Sequence, residues 1–311
     1  MLETITTEHL GEHPPLHLID STEPISALWV RGGEGFIGFG EWRSIDLKGN
    51  NRFEVARKWW REQLNSLKVV NEVHGLGTGP LLFSSFAFDS DAESRLVIPK
   101  IIIGQRGNKS WITWIGDRPE INQFTNNAKK SEIKFGPGAL TDEQWKERVA
   151  KAVEHIKSGD LEKVVLARDL IGVSEQEIPL RHVINYLIEN YPSTWTFFVS
   201  DMLGATPELL VRLSKSLVTS RVLAGTIKKT GNEERDMALA ASLAKSSKDL
   251  EEHEYAVRSV ADSLSPYCSS TNVPEAPFVL HLANVMHLAT DVTGVINDSA
   301  IPVDILTCVA S

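Results

Sequence analysis

Short apolar segments separated by turn-forming residues fill the first 135 or so residues and constrain the possible folds most strongly. Each segment is rich in β-branched or aromatic residues and is bounded by Gly, Asp or Asn, which is the pattern of strands and turns. These segments are 26–31, 36–39, 81–88, 98–103 and 111–115. One helix is predicted over 52–67, where apolar residues recur at helical spacing. This part of the chain is therefore predicted to be a strand-rich α/β region.

A polar stretch over 122–138 separates this region from the rest of the chain. It contains Asn126-Asn127 and Gly136-Pro137-Gly138, residues that are typical of turns and linkers. We therefore predict two domains, an N-terminal α/β region over 1–137 and a second region over 138–311.

The pattern after Leu140 indicates alternating helices and strands. Thr141 and Gln144 fit a capping box, in which the two side chains satisfy free backbone donors at a helix start, and Gly159 stands where that helix would end. Strands are predicted over 163–171, 196–200, 208–213, 217–223, 279–282 and 285–295. Helices are predicted over 181–189, 235–245 and 250–264, with a last helix beginning at Val303.

Composition and charge exclude several classes of protein. The hydrophobic content of 42% and charged content of 23% are those of a globular protein, and the net charge of −9 argues against nucleic acid as a partner. Cys268 and Cys308 have no metal-like spacing, which favours a reducing compartment. The acidic N-terminus lacks the apolar run of a signal peptide, and no apolar stretch approaches the roughly 20 residues that span a bilayer. We therefore expect a cytoplasmic protein without membrane partners.

Several polar residues have both a structural and a functional interpretation. Lys163 can be a snorkelling surface group, or a base whose pKa is lowered by desolvation or by a nearby cation. Glu208 follows Pro207 and can be an exposed residue at a strand start, or a buried acid with a raised pKa. The acidic residues of 246–254 suit the start of a helix, but carboxylates are also Mg²⁺ ligands. His281 and His287 lack the further ligand that a zinc site needs.

Taken together and in order, five motifs resemble the chorismate-utilising enzymes, and within that family the isochorismate synthases of menaquinone or siderophore pathways. The resemblance covers residues 141–311 and implies an α+β fold of large, mainly antiparallel sheets packed together, with helices outside. The motifs are Lys163-Val-Val-Leu-Ala-Arg168, Gly204-Ala-Thr-Pro-Glu-Leu-Leu210, Ala224-Gly-Thr226, Ser247-Lys-Asp-Leu-Glu-Glu-His253 and Met286-His-Leu-Ala-Thr290.

The resemblance implies a role for each of six residues. Lys163 would be the base that activates water to attack C2 of chorismate, and Glu208 the acid that protonates the departing C4 hydroxyl. Glu252 would bind Mg²⁺, with Glu251 as an alternative. The substrate would contact Gly225, Thr226 and His287, whereas His281 keeps its structural interpretation. Chorismate would be the only partner of a monomer or weak dimer.

The family pattern continues with an arginine, a glycine-rich strand and a late glutamate that do not occur before Ser311. Ile227-Lys228-Lys229 also stands where the family often has an arginine after Ala-Gly-Thr. We therefore expect a catalytic region that is incomplete at its C-terminus, and little turnover by these 311 residues alone. A salicylate synthase of the same family, and an inactive fragment that only binds, are the alternatives.

Overall fold

A computed structural model describes residues 2–125 and 132–297 of the chain. The strands within these ranges are β1 Glu3–His9, β2 Ile19–Ser21, β3 Ile25–Arg31, β4 Glu34–Leu47, β5 Leu67–Asn71, β6 Phe83–Ser85, β7 Ser94–Arg106, β8 Lys109–Ile115, β9 Ile121–Gln123, β10 Lys134–Pro137, β11 Leu170–Val173, β12 Trp195–Val199, β13 Met202–Thr206, β14 Leu209–Ser214, β15 Leu217–Lys228, β16 Cys268–Asn272, β17 Phe278–His281 and β18 Val285–Ile296. The helices are α1 Arg52–Asn65, α2 Asp142–Ser158, α3 Leu180–Asn190, α4 Glu233–Leu243 and α5 Ser247–Leu264.

The chain forms two compact units, which are described separately. The first comprises Met1–Phe124 and Ile184–Ser311, and the second comprises Thr125–Val183. The predicted domain boundary between residues 137 and 138 stays a prediction.

A nine-stranded sheet forms the larger part of the first unit. Its order is β13-β12-β3-β4-β7-β8-β1-β5, with β6 on β7, and only the β1–β5 pair is parallel. Long apolar strands β4 and β7 lie at its centre and contribute fully buried side chains such as Phe39, Ile102 and Ile103. Strands β12 and β13 join this sheet because Thr196–Val199 of β12 pairs with Ala27–Val30 of β3.

A five-stranded antiparallel sheet also belongs to the first unit, with the order β14-β15-β18-β16 and β17 on β18. Side chains alternate between its two faces along each strand. On one face, Val222, Leu288 and Val292 are buried against α4 and α5. The other face carries polar residues, including His287 and Asp291. The α+β class with mainly antiparallel sheets is as predicted.

The second unit contains α2 and the β10–β11 hairpin. At the start of α2, Thr141 and Gln144 form the predicted capping box, and Gly159 ends the helix at φ 83°. Arg168 forms an ion pair with Asp142, and the Ala139 N–H donates to Asp169 Oδ1 at 2.9 Å. These contacts anchor the C-terminal end of the 161–169 segment to the start of α2.

Two predicted elements differ from the structure. The strand predicted over 163–171 was wrong for most of its length, because β11 begins at Leu170, where β10 supplies hydrogen-bond partners. The linker predicted over 122–138 was wrong in part, since Lys134–Pro137 is β10. Asn126-Asn127, Cys308 and the helix predicted from Val303 lie outside the described residues.

Over residues 2–125 and 132–297, none of the helices is both long and apolar enough to span a bilayer.

Replacing Phe39 by Ala should test the core of the nine-stranded sheet. Phe39 is 0% exposed, and truncation of a buried Phe typically costs about 3–5 kcal/mol of unfolding free energy. Phe88 is 87% exposed, so Phe88→Ala should change the unfolding free energy by less than about 0.5 kcal/mol. Denaturant titrations of both variants would measure the contrast, and equal losses would contradict the placement of β4 at the core.

Candidate active site

A β-bulge at Gly225 organises the candidate site. Ala224 pairs with Leu288, but the next pair is Thr226 with His287, so Gly225 is the extra residue on β15. Gly225 has φ +78°, and a Cβ there would lie 3.1 Å from Asp249 Cβ and 3.3 Å from Leu288 Cδ1. Glycine therefore fits this position for two reasons, the positive φ and the close approach of α5.

Thr226 and His287 contact each other across the two strands. Thr226 Oγ1 and His287 Nδ1 are 2.9 Å apart. Burial lowers the pKa of His287 below 6.5, while the Gly225 backbone and the charge of Glu208 act in the opposite direction. Because burial dominates, the neutral imidazole is favoured near neutral pH.

Glu208 lies beside this pair. It immediately precedes β14, its own N–H donates to Thr206 Oγ1, and its Oε1 accepts the Leu223 N–H at 3.3 Å. The strand predicted to begin at Glu208 thus begins one residue later. The carboxylate is exposed, and its charge acts on His287. The structure therefore brings Glu208, Gly225, Thr226 and His287 together within one unit.

Helix α5 approaches the bulge at Asp249. Ser246 caps the helix, since its Oγ accepts the Asp249 N–H at 3.3 Å. One turn further, His253 is 3% exposed, and its Nε2 lies 2.7 Å from Thr290 Oγ1 on β18. Asp249 lies against Gly225, and Glu252 follows at i+3, a spacing that places two side chains on neighbouring positions of a helix surface.

His253 is the buried contact that holds α5 to the sheet. Burial lowers its pKa, and the backbone of Ala224 partly opposes this effect. Its Nδ1 makes no hydrogen bond of normal geometry with the described residues. The ring thus spans the distance between α5 and the strand pair that carries the bulge.

The carboxylates of α5 could supply some, but not all, of the ligands that a hard cation needs. Among the described residues, there is no group of three or more His, Cys, Asp or Glu side chains that could hold a metal ion by itself. Mg²⁺, however, typically takes only one or two carboxylates from a protein and completes its octahedron with water and substrate oxygens. Glu252 and Asp249, three residues apart on α5, are the candidate pair for that role. Sequence reasoning missed Asp249, although its i, i+3 spacing from Glu252 was a usable signal.

Lys163 belongs to the second unit. It is exposed and lies in the irregular segment before β11, not on a strand. The proposal that it faces Glu208 across a substrate therefore stays a prediction.

Comparison with known proteins defines the class. The family described as chorismate binding enzyme matches residues 12–309, and the chain belongs to that family.

Its relatives in the family include named isochorismate synthases. The chain is 24% identical over 293 residues to isochorismate synthase MenF and 28% identical over 273 residues to isochorismate synthase DhbC, both of Bacillus subtilis. The alignments cover 83% and 82% of this chain, which spans 62% and 63% of the length of these relatives.

Solved structures agree on the fold. A 2,3-dihydroxybenzoate-specific isochorismate synthase, DhbC from Bacillus anthracis, superposes with a TM-score of 0.72 at 25% identity, covering 92% of this chain and 71% of that one. The menaquinone-specific isochorismate synthase MenF of Escherichia coli gives 0.75 at 16% identity, covering 99% and 75%. The predicted family and fold are confirmed.

The lowered pKa of His287 should make stability depend on pH. Between the folded pKa and 6.5 the unfolded chain binds more protons, so the free energy of unfolding rises with pH in that window. The stabilisation present above 6.5 is lost as the pH falls through the folded pKa. The free-energy difference between the wild type and His287→Gln should therefore shrink as the pH falls from about 7.5 to about 5.

Denaturant titrations at several pH values would measure this difference. Thr226→Val is the matched control, because it removes the hydroxyl and keeps the imidazole, and its pH dependence should have the wild-type direction. A difference between wild type and His287→Gln that grows on acidification would contradict a lowered pKa.

Proposed function

We propose that this chain carries the chorismate site of an isochorismate synthase, which converts chorismate to isochorismate. The observation that carries the proposal is the grouping of Glu208, Thr226 and His287 at one β-bulge. Asp249 of α5 packs against Gly225 of the same bulge. Membership of the chorismate-binding family and the isochorismate synthases among its relatives support it. We also expect a cytoplasmic location.

The reaction needs a base and an acid. Water is a poor nucleophile and hydroxide a poor leaving group, so each must exchange a proton during the reaction. In our proposal Lys163 takes a proton from the water that attacks C2. Glu208 gives a proton to the hydroxyl that leaves C4, while the ring double bonds shift. One water enters and one leaves, so the net reaction is an isomerisation.

The residues around the bulge would hold the substrate. The exposed hydroxyl of Thr226 lies beside His287, which is kept neutral by burial, and the backbone of Gly225 lies next to both. Neutral His287 can donate or accept a hydrogen bond without adding charge. The side chains of Asp249 and Glu252 would bind Mg²⁺. When bound, the ion would neutralise a substrate carboxylate.

Replacing Lys163 by Ala should separate catalysis from binding. In the chain extended beyond Ser311, loss of the general base should lower kcat by about 10²–10⁴-fold, while chorismate binding, measured by calorimetry, should be little changed. Lys157→Ala is the matched control, since Lys157 is an exposed lysine at the end of α2. Isochorismate formation by Lys163→Ala at the wild-type rate would contradict the assignment of Lys163 as the base.

Product analysis with chorismate and Mg²⁺ tests the activity itself. It should be run on these 311 residues and on the chain extended by any sequence that its gene encodes beyond Ser311. Isochorismate as the end product supports the proposal. Release of pyruvate with salicylate would identify the alternative synthase, and binding without turnover by both proteins would identify a binding-only protein.

Removing either α5 carboxylate should weaken Mg²⁺ binding. Asp249→Asn and Glu252→Gln should each weaken Mg²⁺ binding at least about 10–100-fold, which is the loss of metal affinity that typically follows removal of an outer-sphere partner. Glu254→Gln is the control on the same helix, where Glu254 is exposed and pairs with Arg258. Titration of Mg²⁺ by calorimetry in the presence of chorismate measures the effect. Equal losses in all three variants would indicate a general charge effect and no metal site.

A further inference from the structure

Three arginines surround one carboxylate on the polar face of the five-stranded sheet. Arg221 on β15 lies opposite Asp291 on β18, and its Nε and Nη2 donate to the two carboxylate oxygens at 2.7 Å each. This pair is bidentate and neutralises one positive charge. The bond to Arg221 lowers the pKa of Asp291, so the carboxylate is charged at neutral pH.

Arg212 extends this charged surface. Arg212 pairs with Thr219 of β15. Thr219 and Arg221 are two residues apart, so their side chains point to the same face of the sheet. Arg212 and Arg221 therefore lie on the same face of neighbouring strands. The charge of Arg212 acts on Asp291. Within the described residues, Arg212 forms no ion pair or hydrogen bond.

Arg31 approaches from the end of β3. Its guanidinium lies 4.1 Å from the centre of the Trp195 ring, which stacks on Trp29. Burial and the charges of Arg221 and Arg212 lower the pKa of Arg31. Glu34, the residue opposite Arg31 in the β3–β4 hairpin, instead accepts the Gly107 N–H. Arg31 is thus a partly desolvated cation among like charges, without a hydrogen-bonded counter-ion in the described part of the chain.

The cluster carries two more positive than negative charges in a chain whose net charge is −9. It shares the sheet face of His287, because Asp291 and His287 are four residues apart on β18. At about 3.3 Å per residue this separation is roughly 13 Å, so the cluster is a second location on the same face. An oxyanion would relieve the repulsion among the guanidinium groups and use their free donors.

We propose that Arg31, Arg212 and Arg221 form a binding subsite for a small oxyanion, either a carboxylate or a phosphate. Arg221 is held in place by Asp291, and Arg31 by Trp195, so two of the three donors are pre-organised. Pre-organisation reduces the entropy lost on binding. The subsite goes beyond the proposed activity, and it can be tested without chorismate.

The test titrates the 311-residue chain with malonate and with inorganic phosphate by calorimetry at low ionic strength. The double variant Arg31→Gln/Arg212→Gln should bind the preferred anion about tenfold more weakly or worse, because it loses two charge-assisted donors. Arg118→Gln is the matched control, since Arg118 also lies over a tryptophan, Trp114, at 5.7 Å. The control should retain wild-type affinity. Tighter binding of malonate would indicate a carboxylate as the ligand, and tighter binding of phosphate would indicate a phosphate group.

A variant that removes a negative charge from the cluster separates an effect on anion binding from a folding defect. Asp291→Asn keeps a side-chain oxygen that can accept a hydrogen bond from Arg221, but it removes the only carboxylate that acts on Arg31 within the described structure, so anion affinity should rise. A variant that merely loses structure would not bind more tightly. Absence of binding of both anions to the wild type, equal weakening by Arg118→Gln, or weaker binding by Asp291→Asn would each overturn the subsite.

Discussion

The pairing of β15 with β18, and the single extra residue within it, determines which side chains meet. Without the bulge, the register Ala224–Leu288 would continue to Thr226–Met286. Thr226 would then point to the face that is covered by α4 and α5, where Met286 is fully buried. Gly225 shifts the register by one residue, and a shift of one residue moves a side chain to the opposite face. Thr226 therefore lies beside His287, on the same face as the Arg221–Asp291 pair.

The position of α5 follows from the apolar face of the same sheet. Val257 and Leu264 pack against Val218, Val222 and Val292, and the buried contact between His253 and Thr290 fixes the helix along its axis. The first turn of α5 then lies on the bulge, where the lack of a side chain at Gly225 leaves space for Asp249. The placement of Asp249 is thus a consequence of core packing.

Local signals in the sequence predicted local structure well. The capping box at Thr141, the glycine end of α2, helix α5 and strand β18 follow from hydrogen-bond chemistry and spacing within a few residues. Lys163 was placed on a strand because its neighbours are apolar and β-branched, yet a strand also needs a partner, and β10 has only four residues.

Non-local pairing was beyond the reach of single-sequence reasoning. The pairing of β12 with β3 joins segments about 170 residues apart, and no periodicity within either strand encodes it. For the site, the family resemblance implied the roles of Glu208, Gly225, Thr226 and His287, and the structure shows that these residues are neighbours. The bulge register and the approach of Asp249 to Gly225 depend on packing between distant elements, so motif spacing alone did not indicate them.

The charges around the bulge give a physical reason for a cation in the proposed reaction. Glu208 and Asp249 are carboxyl groups near the bulge, and His287 adds no positive charge while its pKa is lowered. A dianionic substrate brought next to ionised carboxylates would be repelled, and the repulsion is strongest where water is excluded. A divalent ion held by carboxylates of α5 would reverse the sign of that interaction. The arginine cluster is too far along β18 to do so, because charges separated by more than about 10 Å are largely screened at ordinary ionic strength. The two locations therefore differ in charge: Asp249 and Glu208 lie at the bulge, whereas the arginine cluster has an excess of positive charge.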